Sequence, residues 1–231
     1  MHYDELKILK VIDGKRVSQL DTVIRETEVV IKIDGRVHRQ LCCLMEHLEE
    51  LALGYLFDEG IASSSDIDIT VGGNTISVSR KRWSKVQKPA VIESKLQVTD
   101  EQILGWVEEL DKSCPLHTKT GGTHVIGIVH DDSIFFVEDI SRHCAIDKAI
   151  GIAVKKGFEL SNCVMVTSCR QTISAMRKAI RAGIPIVISL SAPTTLDITE
   201  ALNYGVTFVG FVRGNEFNIY SYPQRIFLAP R

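Results

Sequence analysis

Three short apolar runs constrain this chain more than anything else in it. Residues 163–166, 184–189 and 206–211 are rich in Val and Ile, and amphipathic stretches at 171–182 and 194–204 lie between them. A strand that is apolar on almost every residue is buried on both faces, and such strands alternating with helices make a sheet covered on both sides. Gly183 closes the helix 171–182, and the next strand opens at Ile184. Upstream, 124–130 and 133–137 flank Asp131-Asp132 as a hairpin, and 147–157 reads as a short helix. The predicted fold class is α/β, a three-layer mixed sheet.

The first hundred residues are patterned differently. Glu28-Val29-Val30-Ile31-Lys32-Ile33-Asp34-Gly35 is a β-branched run entering a tight turn, with a return strand over 37–42. Over 45–60 the residues Leu48, Leu51, Ala52, Tyr55 and Leu56 follow helical spacing, and Gly60 stops the helix. Residues 67–71 and 75–79 alternate around Gly72-Gly73-Asn74 as a second hairpin. A basic stretch follows at 80–88 with one aromatic, Trp83; it reads as a solvated loop or sheet edge, or as a loop facing phosphate. Residues 99–111 form a helix capped by Thr99 or Asp100 that ends before Pro115. Hairpins and helices over 1–111 thus precede an α/β core over 112–231, the two making one compact unit.

Lys plus Arg number 27 against 29 Asp plus Glu, a formal charge of -2. No overall basic field exists to hold nucleic acid or an anionic membrane, so a polyanion must be met by a local site. The apolar runs stop far short of the roughly 20 residues of a membrane span, and the first residues lack a signal-like apolar stretch. A soluble cytoplasmic protein is expected. Cysteines at 42, 43, 114, 144, 163 and 169 make no Cys-x-x-Cys pair and no zinc-type spacing with histidine. Neither a disulfide framework nor a metal site is expected, and Cys163 reads as a buried strand thiol.

Two constellations could carry chemistry. Thr120-Gly121-Gly122-Thr123-His124 is followed, one hairpin later, by Glu138-Asp139-Ile140-Ser141-Arg142-His143-Cys144-Ala145-Ile146-Asp147-Lys148. Hairpin pairing brings both segments to one end of the sheet, where Gly121 and Gly122 permit close backbone approach and Arg142 can clamp a phosphate. His124 and His143 are the candidates for acid/base or ligand-orienting work, with Asp139 and Asp147 orienting Arg142 and Lys148. The second constellation, Thr167-Ser168-Cys169-Arg170, follows a buried strand and is read as opening a helix. Its free N–H groups would favour an anion near Ser168 and Arg170 and depress the pKa of Cys169. Ser189-Leu190-Ser191-Ala192-Pro193-Thr194-Thr195 repeats that plan after the next strand.

These segments occur in a familiar order, with Leu51-Ala52-Leu53-Gly54-Tyr55-Leu56-Phe57-Asp58-Glu59-Gly60-Ile61 before them. After them come Ala182-Gly183-Ile184-Pro185, Val209-Gly210-Phe211-Val212-Arg213-Gly214, Phe217-Asn218-Ile219-Tyr220 and Arg225-Ile226. Over about residues 24–226 the chain resembles the FdhD family, the formate dehydrogenase accessory sulfurtransferases. The resemblance implies a cytidine deaminase-like fold and a cytoplasmic homodimer. It implies as bound substrate a molybdenum bis(molybdopterin guanine dinucleotide) cofactor, as sulfur donor a cysteine desulfurase, and as client a formate dehydrogenase-type molybdoenzyme. By the same resemblance, Phe211, Val212, Arg213, Gly214, Asn215 and Glu216 hold the guanine nucleotide part of the cofactor. Arg213 can pair with a phosphate, and Gly214 lets the chain come close.

One departure bears on the chemistry. The family's sulfur carrier is a Cys-Gly-x-Cys-Gly loop between the second hairpin and the next helix, and here residues 80–99 contain no cysteine. Ser141 and Cys144 also stand where Gly and Asn are expected, and Cys169 replaces the Gly of a Ser-Gly-Arg turn. Three readings stay open: a cofactor-binding protein that still takes part in sulfur transfer, a nucleotide-binding module or chaperone without it, and a protein whose persulfide moved to Cys144 or Cys169. A zinc deaminase is excluded, because no His-x-Glu with Pro-Cys-x-x-Cys is present to hold its metal.

Overall fold

The computed structural model describes residues 2–61, 67–80 and 88–229. It opens with β1 (Tyr3–Ile12) and β2 (Lys15–Ile24), a long antiparallel hairpin that the sequence pattern does not announce. The predicted hairpin follows as β3 (Thr27–Ile33) and β4 (Arg36–Cys43). Asp34 and Gly35 carry φ of 50° and 79° at its turn, as a two-residue primed turn requires. Then come α1 (Leu48–Asp58), β5 (Ile67–Gly72) and β6 (Thr75–Arg80). β3 and β6 pair in parallel, giving a four-stranded sheet in the order β4-β3-β6-β5. Of the basic stretch at 80–88, residues 81–87 lie outside the described residues.

β7 (Val98–Thr99) leads into α2 (Asp100–Lys112), where Thr99 and Gln102 exchange the bonds of a capping box. α3 (Pro115–Thr120) is a six-residue helix with Pro at its first position. The second half runs β8 (His124–His130), β9 (Ser133–Asp139), α4 (Arg142–Lys155), β10 (Cys163–Thr167), α5 (Ile173–Ala182), β11 (Ile186–Ser189), α6 (Thr195–Tyr204), β12 (Thr207–Arg213), β13 (Glu216–Ser221) and β14 (Ile226–Phe227). Six of these strands form a mixed sheet in the order β13-β12-β11-β10-β8-β9, with β10, β11 and β12 parallel.

The alternation along each strand shows why both faces had to be apolar. Met165, Val187 and Phe208 point toward Ala149, Met176 and Ala179 of α4 and α5. Val164, Val166, Ile186, Ile188 and Val209 point the other way, in one cluster with Ile103 and Leu110 of α2. The sheet is thus covered by helices on both sides, and the mixed α/β reading holds. On its far side α4 lies against α1, where a Cβ on Gly54 would stand 1.9 Å from the Asp147 carbonyl oxygen and one on Gly151 2.0 Å from that of Glu50. α1 in turn buries Leu51, Ala52 and Leu56 with Val29, Ile31, Ile76 and Val78 of the smaller sheet.

Two helix boundaries differ from expectation. α4 begins at Arg142 rather than Asp147, because the Ser141 hydroxyl accepts from the Cys144 N–H at 3.5 Å and caps it. Residues 168–172 do not open a helix; α5 starts only at Ile173, after Thr172. Cys169 is therefore not at a helix N-terminus.

Candidate functional site

The carboxyl ends of β10, β11 and β12 all face one cleft of about 810 Å³, within the usual range for a small-molecule site and in the usual place for an open α/β sheet. Ser168, Cys169 and Arg170 enter it after β10, Leu190 and Ser191 after β11, and Val212, Arg213 and Gly214 at the end of β12. The opposite wall is built by α2, Cys114 and His117, and by Gly121, Thr123 and His124 at the start of β8.

Hydrogen bonds hold these loops together. The Ser168 hydroxyl accepts from the Val125 N–H at 3.0 Å while its own N–H donates to the Val125 carbonyl, which extends the β8–β10 ladder. Ser168 therefore joins strands instead of capping a helix. Ser191 donates from its hydroxyl to the Ser168 carbonyl, and Ser189 to that of Cys169. On the facing wall the buried Glu138 carboxylate accepts from the N–H groups of Leu116 and His117 and from the Thr123 hydroxyl, at 3.0, 2.7 and 2.9 Å. Glu138 thus fastens α3 and the turn at 121–123 to the sheet. His117 Nδ1 meets the Thr123 carbonyl at 2.6 Å, so that nitrogen carries the proton.

Of the run 211–216, Val212, Arg213 and Gly214 line the cleft. Phe211 is 37% exposed with a left-handed φ of 55°, and its ring lies 6.0 Å from the Arg213 guanidinium. Asn215 and Glu216 are exposed at the turn beyond. Gly121 is at the rim with φ 65°, while Gly122 backs onto Ile24 of β2. His124 faces the cleft; burial, followed by the charge of Arg142, lowers its pKa, so its imidazole is neutral at pH 7. Arg142 sits on the first turn of α4 with a buried Nε that has no hydrogen-bond partner among the described residues.

His143 and Cys144 belong elsewhere. They line a second cleft of about 320 Å³ with Arg39, Tyr55, Asp58 and Lys178. The two histidines therefore do not share a rim. Asp147 does not orient Arg142 either: its carboxylate binds Lys178 at 2.7 Å, and burial pushes its pKa up to about 7 in spite of that cation. Burial works against the charge of Lys178 as well, but Asp147 and Asp58 outweigh it and raise its pKa. Asp139 pairs with Lys148 at 2.6 Å, both fully buried.

The thiols are quiet. Cys169 touches the first cleft but is 1% exposed, and burial raises its pKa rather than a helix terminus depressing it. Burial pushes Cys144 to about 12. Sequence reasoning missed Glu138 as the fastener of the site, along with His117 and the α2 wall; Pro115, placed to start a helix, was the available signal for α3.

Comparison with known proteins decides the kinship. The FdhD/NarQ family pattern matches residues 68–227. This chain belongs to the FdhD/NarQ family. It is 33% identical to the sulfur carrier protein FdhD of Methanothermobacter thermautotrophicus, over 93% of this chain and 95% of that one. It is 30% identical to the protein of the same name from Staphylococcus haemolyticus, over 95% of each. A crystal structure from Desulfotalea psychrophila, named as a formate dehydrogenase accessory protein, superposes with a TM-score of 0.88 at 27% identity, covering 98% of this chain and all of that one. Among the described residues no helix is long and apolar enough to cross a membrane.

Proposed function

We propose that this family member is a maturation factor for a formate dehydrogenase-type molybdoenzyme, binding the guanine nucleotide part of a molybdopterin guanine dinucleotide cofactor as its cargo. The observation that supports this reading is the cleft at the ends of β10, β11 and β12, where Arg170 and Arg213 stand beside Gly121 and Gly214. Guanidinium groups take phosphate oxygens in pairs, and glycines admit a ligand close to the backbone. The six-stranded core we read as cytidine deaminase-like. The test is calorimetric titration with GDP. Saturable binding is expected, weakened about tenfold in Arg213→Ala, the scale of one lost hydrogen bond to a charged group; no saturable binding refutes the assignment.

A second reading concerns the sulfur. Residues 80–99 hold no cysteine, and Cys114, Cys144 and Cys169, the thiols that line the two clefts, are buried with raised pKa values. Thiolate, not thiol, attacks sulfur donors. These observations favour a protein that binds and delivers the cofactor while a separate protein, of the cysteine desulfurase or sulfur carrier class, supplies the sulfur. Transfer of radiolabelled sulfur from a desulfurase to a thiol of this chain would overturn it.

A further inference from the structure

The second cleft, about 320 Å³, shares no lining residue with the nucleotide cleft. One of its walls comes from an irregularity of β4. Pairing with β3 steps from Ile31↔Arg39 to Lys32↔Val37, which leaves His38 unpaired in a bulge. A bulge bends its strand and re-aims side chains. Here His38 Nδ1 lies 2.9 Å from the Tyr55 hydroxyl of α1, and Arg39 lines the cleft beside it. Glu59, just past the end of α1, and Arg39 are the charges that act most strongly on the Tyr55 hydroxyl, so both stand close to it. Neither Arg39 nor Glu59 is in an ion pair among the described residues. The floor is different. There the Lys178 ammonium is held between Asp58 and Asp147, each at 2.7 Å, so these three charges are matched within the protein. Half-buried His143 is neutral at pH 7, since burial and then the charge of Lys178 lower its pKa.

We propose that the second cleft binds a small zwitterion of the free α-amino acid class, its carboxylate on Arg39 and its ammonium on Glu59. A simple anion there meets the carboxylates of Asp58, Glu59 and Asp147, and a simple cation meets Arg39 and Lys178. A ligand that carries both signs close together opposes neither set. The volume lies at the lower end for small-molecule sites, which suits a ligand of that size. Burial pushes the Tyr55 pKa up to about 12, so its phenol stays neutral beside the two charged groups. Leu41 and Cys144 offer an apolar wall to the ligand's side chain.

The experiment is saturation-transfer NMR of the full chain with each of the protein amino acids, followed by calorimetric titration of those that respond. At least one is expected to bind saturably at millimolar concentration. Arg39→Gln and Glu59→Gln should each weaken it at least about tenfold, the scale of one lost hydrogen bond to a charged group. On the unaltered protein, the matching hydroxy acid, which lacks the ammonium, and the matching amine, which lacks the carboxylate, should lose affinity in the same measure. Circular dichroism of both variants should be unchanged, because neither side chain is paired within the protein. Arg213→Ala, on the nucleotide cleft, should leave amino acid binding as it is. No binding by any amino acid, binding indifferent to both substitutions, equal binding of the hydroxy acid or amine, or loss of binding in Arg213→Ala overturns the proposal.

Discussion

Lys148→Met should be among the most damaging conservative changes available in this protein. Lys148 and Asp139 are both 0% exposed and 2.6 Å apart, and the ammonium also donates to the Leu44 carbonyl at 2.9 Å. Unit charges at that distance attract by about 6 kcal/mol at an effective dielectric of about 20; desolvation offsets much of it, so the net value of the pair is small. Removing one partner is a different matter. Asp139 would keep only its bonds from Leu44 and Ser141, at 3.2 and 2.9 Å. Leaving a buried charge without its counter-ion costs about 3–5 kcal/mol, which in a domain of this size lowers Tm by about 6–20 °C.

The pH dependence has a definite sign. Burial already holds the Asp139 pKa above the ordinary carboxylate value, with Lys148 pulling it down. A carboxyl with a raised folded-state pKa gives stability that is whole at acid pH and lost as pH rises through that value. Losing Lys148 raises it further, so the deficit of the variant should be largest at neutral pH and shrink toward pH 4. Urea unfolding followed by far-UV circular dichroism at pH 7 and pH 4.5 measures both. A deficit below about 1 kcal/mol, or one that does not change with pH, would refute the reasoning.

Gly54→Ala and Gly151→Ala drive a methyl into facing backbone and should each cost about 3 kcal/mol or more by denaturant midpoint; Gly105→Ala, with open space around it on α2, should stabilise by about 0.5–1 kcal/mol. Arg225 donates from its buried guanidinium to the carbonyls of Gly205, Ile92 and Ser94, so Arg225→Met should cost about 3 kcal/mol and expose the segment at 88–97 to limited proteolysis. Burial pushes Cys43, Cys144 and Cys163 to about 12, so at pH 8 a thiol reagent should leave these three unmodified in the native protein and count all six cysteines in denaturant.

Much of the fold was legible because burial writes itself into residue choice. The strands β10, β11 and β12 announce themselves by apolar residues on both faces, α2 by its threonine cap and α5 by its closing glycine. The β1–β2 ribbon stayed hidden for the converse reason. Its apolar residues sit on both faces among charges, since neither face lies fully against the body, and a ribbon without one buried side leaves no clean period of two. α3 is too short to show a period at all.

The site is harder to read because adjacency along the chain is not adjacency in space. The stretch 138–148 looks like one polar rim, yet an α-helix starting at Arg142 turns each successive residue by about 100°. Glu138, still on β9, reaches back to α3. His143 and Asp147, one helical turn apart, go together into the second cleft. Lys148, one position further round, reaches back to Asp139 and to Leu44 at the entrance of α1. A start of α4 placed five residues late gathers all these groups on one side, and placing it correctly separates them into a fastener of the nucleotide cleft, the wall of a second cleft, and a buried pair joining the two sheets. Ser141, whose hydroxyl accepts from the Cys144 N–H, is the residue that sets this division, because its cap fixes where the helix begins to turn.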